Sequence, residues 1–365
     1  MKSKFIARLA LRCAAIVLTI HGVSAGADLD WKGRKPVLIQ QDGHYGRIAR
    51  IDGGNCIAGF DHHRSIKVRL SHDNGTTWGD PVTVAGPTRG SLTNTEFLVL
   101  GPKDVICLFN FRPERNSGLA FEIRMSRSKA GGESWSDVRT LFTGGKEFEN
   151  GCWEPSGLVY PSGELRVFFA NEAPYTASNE QEISMIRSLD GGDTWSPVER
   201  VSFRKNHRDG MPVPVLAPDL KQSFLTIEDN GVHGAFKPVI LDITGAKEAA
   251  FVSGDSPKRW SALSKPLAAA TYAGAPYLTR LPDRRFVLSF QIAESGNLRD
   301  SRMAVCVGNM KAESFGEPTY PFGETGGSQL WNSLFVKDAG SIIAVSETTI
   351  QGVRGVWAVE GSIRR

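Results

Sequence analysis

Apolar and polar positions alternate with a period of two in short runs along most of the chain. "GRIARI" (46–51), "CIAGF" (56–60) and "SIKVRLS" (65–71) form one such series, and "SGLVY" (156–160), "LRVFFAN" (165–171) and "EISMIRS" (182–188) form another. Gly, Pro, Asn and Asp separate the runs, the punctuation of hairpins, and no stretch carries a helical period. An all-β chain is predicted.

Each series ends on a related motif. Residues 71–78 read "SHDNGTTW", 188–195 read "SLDGGDTW", and 128–135 read "SKAGGESW", with Ala130 where the others have Asp. The three begin 57 and 60 residues apart, which is a repeat period. Such a motif suits a tight turn: the Asp carboxylate accepts backbone N–H groups, Gly supplies a positive φ, and Trp is expected to pack beneath with its indole N–H satisfied. Asp73 and Asp190 therefore read as turn staples. Three or four strands in about 57 residues is the size of a propeller blade, and dividing the chain by that period gives about six. The segment "LDITGAKEAAF" (241–251) falls where a fourth motif would lie and has no Trp. A single six-bladed β-propeller over 28–365 is the expectation.

The first 27 residues do not fit this pattern. Lys2, Lys4, Arg8 and Arg12 precede the apolar "CAAIVLTI" (13–20), and "SAGA" (24–27) supplies small residues for cleavage. That is the order of a secretory signal peptide, and its apolar run is too short to span a bilayer. The formal charge of +4 resides in those four basic residues. A near-neutral mature chain without a basic block excludes nucleic acid as an expected partner. Export points to a secreted or periplasmic protein, taken here as a monomer. Cys56, Cys107, Cys152 and Cys306 are widely spaced, so buried free thiols are expected, and no spacing suggests a metal or cofactor site.

In a propeller, ligands bind where the innermost strands reach the channel mouth. Three segments place polar residues there. "HYGRIARI" (44–51) carries Arg47, whose guanidinium suits a carboxylate or a pair of sugar hydroxyls. "ENGCWEPSGLVYPSGELRVFFANE" (149–172) sets Glu154 between Trp153 and Pro155, an apolar setting that raises a carboxyl pKa. Trp153 is a candidate for stacking on a sugar ring, and Glu172 is a second carboxylate at the far end of the following strand. In the third segment Glu228 and Asp229 end "FLTI" (224–227), which reads as a buried inner strand. Glycoside hydrolysis needs two carboxyls facing each other across the scissile bond. Glu154 and Glu228 come from successive blades.

The Ser-x-Asp-x-Gly-x-Thr-Trp motif resembles the Asp-box, or BNR repeat, of the sialidase superfamily, which implies that superfamily's six-bladed propeller. Arg47 falls on the first arginine of the sialidase carboxylate clamp and Asp61 about where the sialidase Asp stands. Where a second arginine is due, "LRVFFANE" offers Ala170 and Asn171. "NTEFLVLGPKDVICLFNFRPER" (94–115), "WEPSGLVYPSGELRVFF" (153–169), "RDGMPVPVLAPDLKQSFLTIED" (208–229) and "GAPYLTRLPDRRFVLSF" (274–290) are more similar to the exo-α-L-1,5-arabinanase family. That resemblance implies Glu154 and Glu228 as the catalytic pair, with Arg112, Arg208 and Tyr277 as hydroxyl-binding or orienting groups. An exported, exo-acting glycoside hydrolase follows as the first expectation. An exo-α-sialidase and a non-catalytic carbohydrate-binding propeller are the alternatives.

Overall fold

The computed structural model describes residues 28–364, so the segment expected to be a signal peptide lies outside the described residues. The chain forms a six-bladed β-propeller. In chain order the innermost strands are His44–Asp52, Gly90–Gly101, Cys152–Val159, Asp209–Leu216, Tyr272–Arg280 and Leu330–Val336. Each packs against the next and the sixth against the first, closing the ring. From each, an antiparallel meander runs outward. The first, second and fourth blades have four strands; the fifth has three, with Thr319 bridging Val305 where a fourth would run. Among the described residues the only helical segments are three single 3-10 turns, Phe148–Asn150, Glu248–Ala250 and Leu298–Asp300.

Ring closure joins the two ends of the chain. Val37–Gln41 and Leu29–Asp30 both pair antiparallel with Val353–Ile363 in the sixth blade, in register Val37 to Ala358 and Leu29 to Ile363. The apolar core lies between blades. Leu98 and Leu108 of the second blade, Phe168 and Phe169 of the third and Leu225 and Ile227 of the fourth share one buried cluster. Second strands are sandwiched by neighbours on both faces, so they read as near-continuous apolar runs. "FLTI" belongs to such a strand, Ser223–Asp229, and is not the innermost strand expected from its sequence. Burial on both faces of an intermediate strand produces the same apolar run as burial at the hub. Cys56, Cys107, Cys152 and Cys306 are free and buried.

The repeated turns link third to fourth strands. Asp73 Oδ1 accepts the Thr76 and Thr77 N–H groups at 3.1 and 2.8 Å, and the Ser71 hydroxyl accepts the Gly75 N–H at 2.8 Å. Asp190 repeats this with Asp193 and Thr194. These contacts hold both carboxyls far below the ordinary carboxylate range. At the middle turn Ser128 still accepts the Ala130 and Gly132 N–H groups. The expectation for the indoles is corrected. Trp135 Nε1 donates to the Gly132 carbonyl at 3.0 Å, whereas Trp78 and Trp195 Nε1 are buried without a protein acceptor. Their rings are held by packing.

Candidate active site

All six innermost strands break at one position. A register shift falls at residues 44–47, 93–96, 153–156, 210–213, 274–277 and 330–333. Within each shift one non-glycine residue adopts a left-handed backbone: Tyr45, Asn94, Glu154, Met211, Ala275 and Trp331, with φ from 46° to 59°. A β-bulge re-aims the side chain that it carries. Left-handed φ in bulky residues costs about 1–3 kcal/mol each and persists where the surroundings over-determine it. Here the surroundings are the hub. Tyr45, Met211, Ala275 and Trp331 cluster into an apolar floor.

Glu154 is the carboxylate among these six bulge residues. Burial pushes its carboxyl up to about 7; the positive Arg112 opposes this, and the negative Glu228 and Glu172 reinforce it. Glu228 sits at the matching height on the second strand of the next blade, paired in register with Gly210. Burial raises its carboxyl too, against the Ala275 N–H, which donates to Oε2 at 2.8 Å, and the Tyr272 hydroxyl at 3.4 Å. Glycine at 274 leaves room for both the Glu228 carboxylate and the Tyr272 hydroxyl, which a Cβ there would force to move. Asp229 turns to the opposite side of its strand, as alternation demands. It joins a buried network in which Arg259 contacts Asp229 at 2.7 Å and Asp209 at 2.6 Å.

The other candidates fall into three groups. Arg112 stays with Glu154: its guanidinium donates to Asn94 Oδ1 at 2.7 Å and lies 4.9 Å from the Trp153 ring. The buried Glu172 pairs with the half-buried Arg208 beside them, with Gln181 Nε2 donating to Glu172 at 3.0 Å. Trp153 is 5% exposed, wedged between Phe121, Phe148 and Arg112. Its ring packs in that aromatic cluster beside Arg112. Arg47 is 2% exposed and lies 3.9 Å from the Tyr45 ring, 5.1 Å from the Tyr277 ring and 3.5 Å from Glu96. Its guanidinium donates to the Gly46 and Trp331 carbonyls. Arg47 and Tyr277 thus pack together two residues beyond the bulge on their strands, Arg47 enclosed and Tyr277 half-buried. Asp61 lies on the first blade, its carboxyl raised by burial to about 6, next to His44, whose Nδ1 is 2.9 Å from Glu347.

Sequence reasoning missed Tyr272, Asn94, Gln291 and the apolar floor. The signal available for Tyr272 was its place at the start of an inner strand, two residues before the shift. Gln291 is instructive: it occupies in the fifth blade the register position of Glu228 in the fourth, and its Oε1 accepts the Trp331 N–H as Glu228 accepts that of Ala275. Among the described residues no group of three or more His, Cys, Asp or Glu is arranged to hold a metal ion.

No protein-family model matches this chain, and no curated protein matches it. Solved structures do. A protein of unknown function from Dyadobacter fermentans aligns with a TM-score of 0.67 at 15% identity, over 90% of this chain and 98% of its own. The GH93 α-L-arabinofuranosidase of Fusarium graminearum, in complex with arabinobiose, aligns with a TM-score of 0.65 at 15% identity, over 92% and 98%. The NanB sialidase of Streptococcus pneumoniae aligns at 0.57 and 14%, over 90% and 70%. At these identities the likeness is one of fold, a sialidase-like propeller that carries glycoside hydrolases among its members.

Proposed function

We propose that the protein is an exported, monomeric glycoside hydrolase that acts from the end of a neutral carbohydrate chain, with arabinan the first substrate to test. The observation carrying this reading is the pair Glu154 and Glu228. The two carboxyls come from adjacent blades, border one apolar floor and are both raised by burial. With its carboxyl raised to about 7, Glu154 can hold a proton near neutral pH. That is the starting state for the chemistry. One carboxyl gives its proton to the glycosidic oxygen as the bond to the anomeric carbon breaks. The other, ionised, attacks that carbon or takes a proton from the attacking water.

The surroundings favour a neutral sugar. The arginine matched to a sialidase clamp, Arg47, is enclosed, and Arg208 and Arg354 are already paired with Glu172 and Glu347. That leaves Arg112 as the charge opposing Glu154 where an anionic sugar would have to be held. The arabinofuranosidase of the same fold, solved with arabinobiose, supports arabinan as the first choice.

Purified protein is to be assayed on an aryl α-L-arabinofuranoside and on arabino-oligosaccharides beside a fluorogenic sialoside. Glu154→Gln and Glu228→Gln are each expected to lower turnover about 10³-fold. Both are expected to fold, since Gln291 already performs the backbone contact that Gln at 228 would have to make. Near-normal rates in either variant, or faster cleavage of the sialoside, would overturn the proposal.

A further inference from the structure

Ten large apolar side chains are prominently exposed among the described residues, and one is aromatic: Phe148, at 61%. The other nine are aliphatic. Phe148 is also not a loose loop tip. Its ring lies 4.9 Å from Trp153 and 6.2 Å from Phe121, so it is fixed on a buried aromatic base. That base leads inward. Trp153 carries the Arg112 guanidinium, whose charge acts directly on Glu154.

A groove with about 820 Å³ of empty space runs past this ring, between the Pro113–Asn116 and Lys146–Glu149 loops of the second and third blades. One of its lining residues, Pro113, directly follows Arg112 in the strand Asp104–Pro113. The wall charges nearly balance: Arg115 and Lys146 face Glu147 and Glu149, and Glu114 is paired with Arg64 at 2.5 Å. A groove of balanced charge, lined by an exposed aromatic that is itself packed on buried aromatics, matches a neutral sugar chain. The C–H face of a sugar ring packs on an aromatic ring, and the rim residues have donors and acceptors for its hydroxyls.

We infer that this groove is a second carbohydrate-binding site, in which Phe148 stacks on a sugar unit removed from the bond being cut, so that the protein takes a chain of several units. The inference rests on the reading of Glu154 and Glu228 as a hydrolytic pair for the direction in which the chain runs. Recognition by Phe148 is tested apart from it.

The test compares wild type, Phe148→Ala and Phe148→Trp on linear arabinopentaose and on an aryl α-L-arabinofuranoside with a single sugar. Direct binding of arabinopentaose by titration calorimetry is measured in parallel. Phe148→Ala is expected to lower kcat/KM for the pentaose about 10-fold, mainly through KM, to leave the single-sugar substrate within about 2-fold, and to weaken pentaose binding by a similar factor; Phe148→Trp restores it. Equal effects on both substrates, or none, overturn the groove and leave the hydrolase standing. If no glycoside is cleaved yet pentaose binding falls in Phe148→Ala, the hydrolase reading fails and the groove stands. Unchanged binding in that case overturns both.

Discussion

Glu154 combines two burdens, a left-handed backbone at φ 51° and a carboxyl raised by burial to about 7. Both cost stability, and the second does so in a pH-dependent way. A carboxyl whose folded pKa lies above its unfolded value near 4.5 binds its proton more tightly in the folded state. The contribution of Glu154 to wild-type stability therefore declines as pH rises from about 4.5 to 7, by at most about 3.5 kcal/mol. Glutamine has no charge to bury, so Glu154→Gln should melt with wild type at pH 4 and above it by several degrees at pH 8. Thermal melts across that range check this. A gap that closes with rising pH would mean that the charged form is favoured by its surroundings. Stability gained where turnover is lost marks a site held against folding.

Two repeated elements build the molecule, and they differ in how visible they are. The turn motif is written in side chains with distinct jobs, so Asp73 and Asp190 are recognisable as staples from residue type and spacing alone. Its degenerate middle copy allows a direct test. Ala130→Asp would place a carboxylate where it can accept the Glu133 and Ser134 N–H groups, as Asp73 accepts those of Thr76 and Thr77. A gain of about 0.5–1 kcal/mol is expected at pH 7, read as a higher melting temperature. It should begin to fade as pH falls below about 4 and be lost toward the lowered pKa that these contacts impose. The bulge in every inner strand leaves no such trace. Its left-handed residue is Tyr, Asn, Glu, Met, Ala or Trp in turn, none of them a glycine that would have flagged a positive φ. The bulge arises from the convergence of six strands on one hub, which no local sequence window contains.

At the scale of the whole molecule, closure depends on pairing the first described strands with the last. Removing residues 28–41 would strip Val353–Ile363 of its outer partners and uncover Val356 and Trp357, both buried. Loss of the single cooperative melt, followed by circular dichroism, is the expected outcome, because an open ring leaves a bare sheet edge and unshielded blade faces. The sequence by itself determined the strand content, the repeat, the blade count, the free thiols and Glu154 and Glu228 as candidates, because alternation and turn chemistry are local properties. It left the burial of several groups open: Arg47 and Trp153 carry the residue types of a binding site, and folding encloses the first against Tyr45 and packs the second against Phe121 and Arg112. Tertiary structure alone decided which polar groups meet at the mouth, since residues from blades far apart in sequence become neighbours only when the circle closes, and burial there sets their charge.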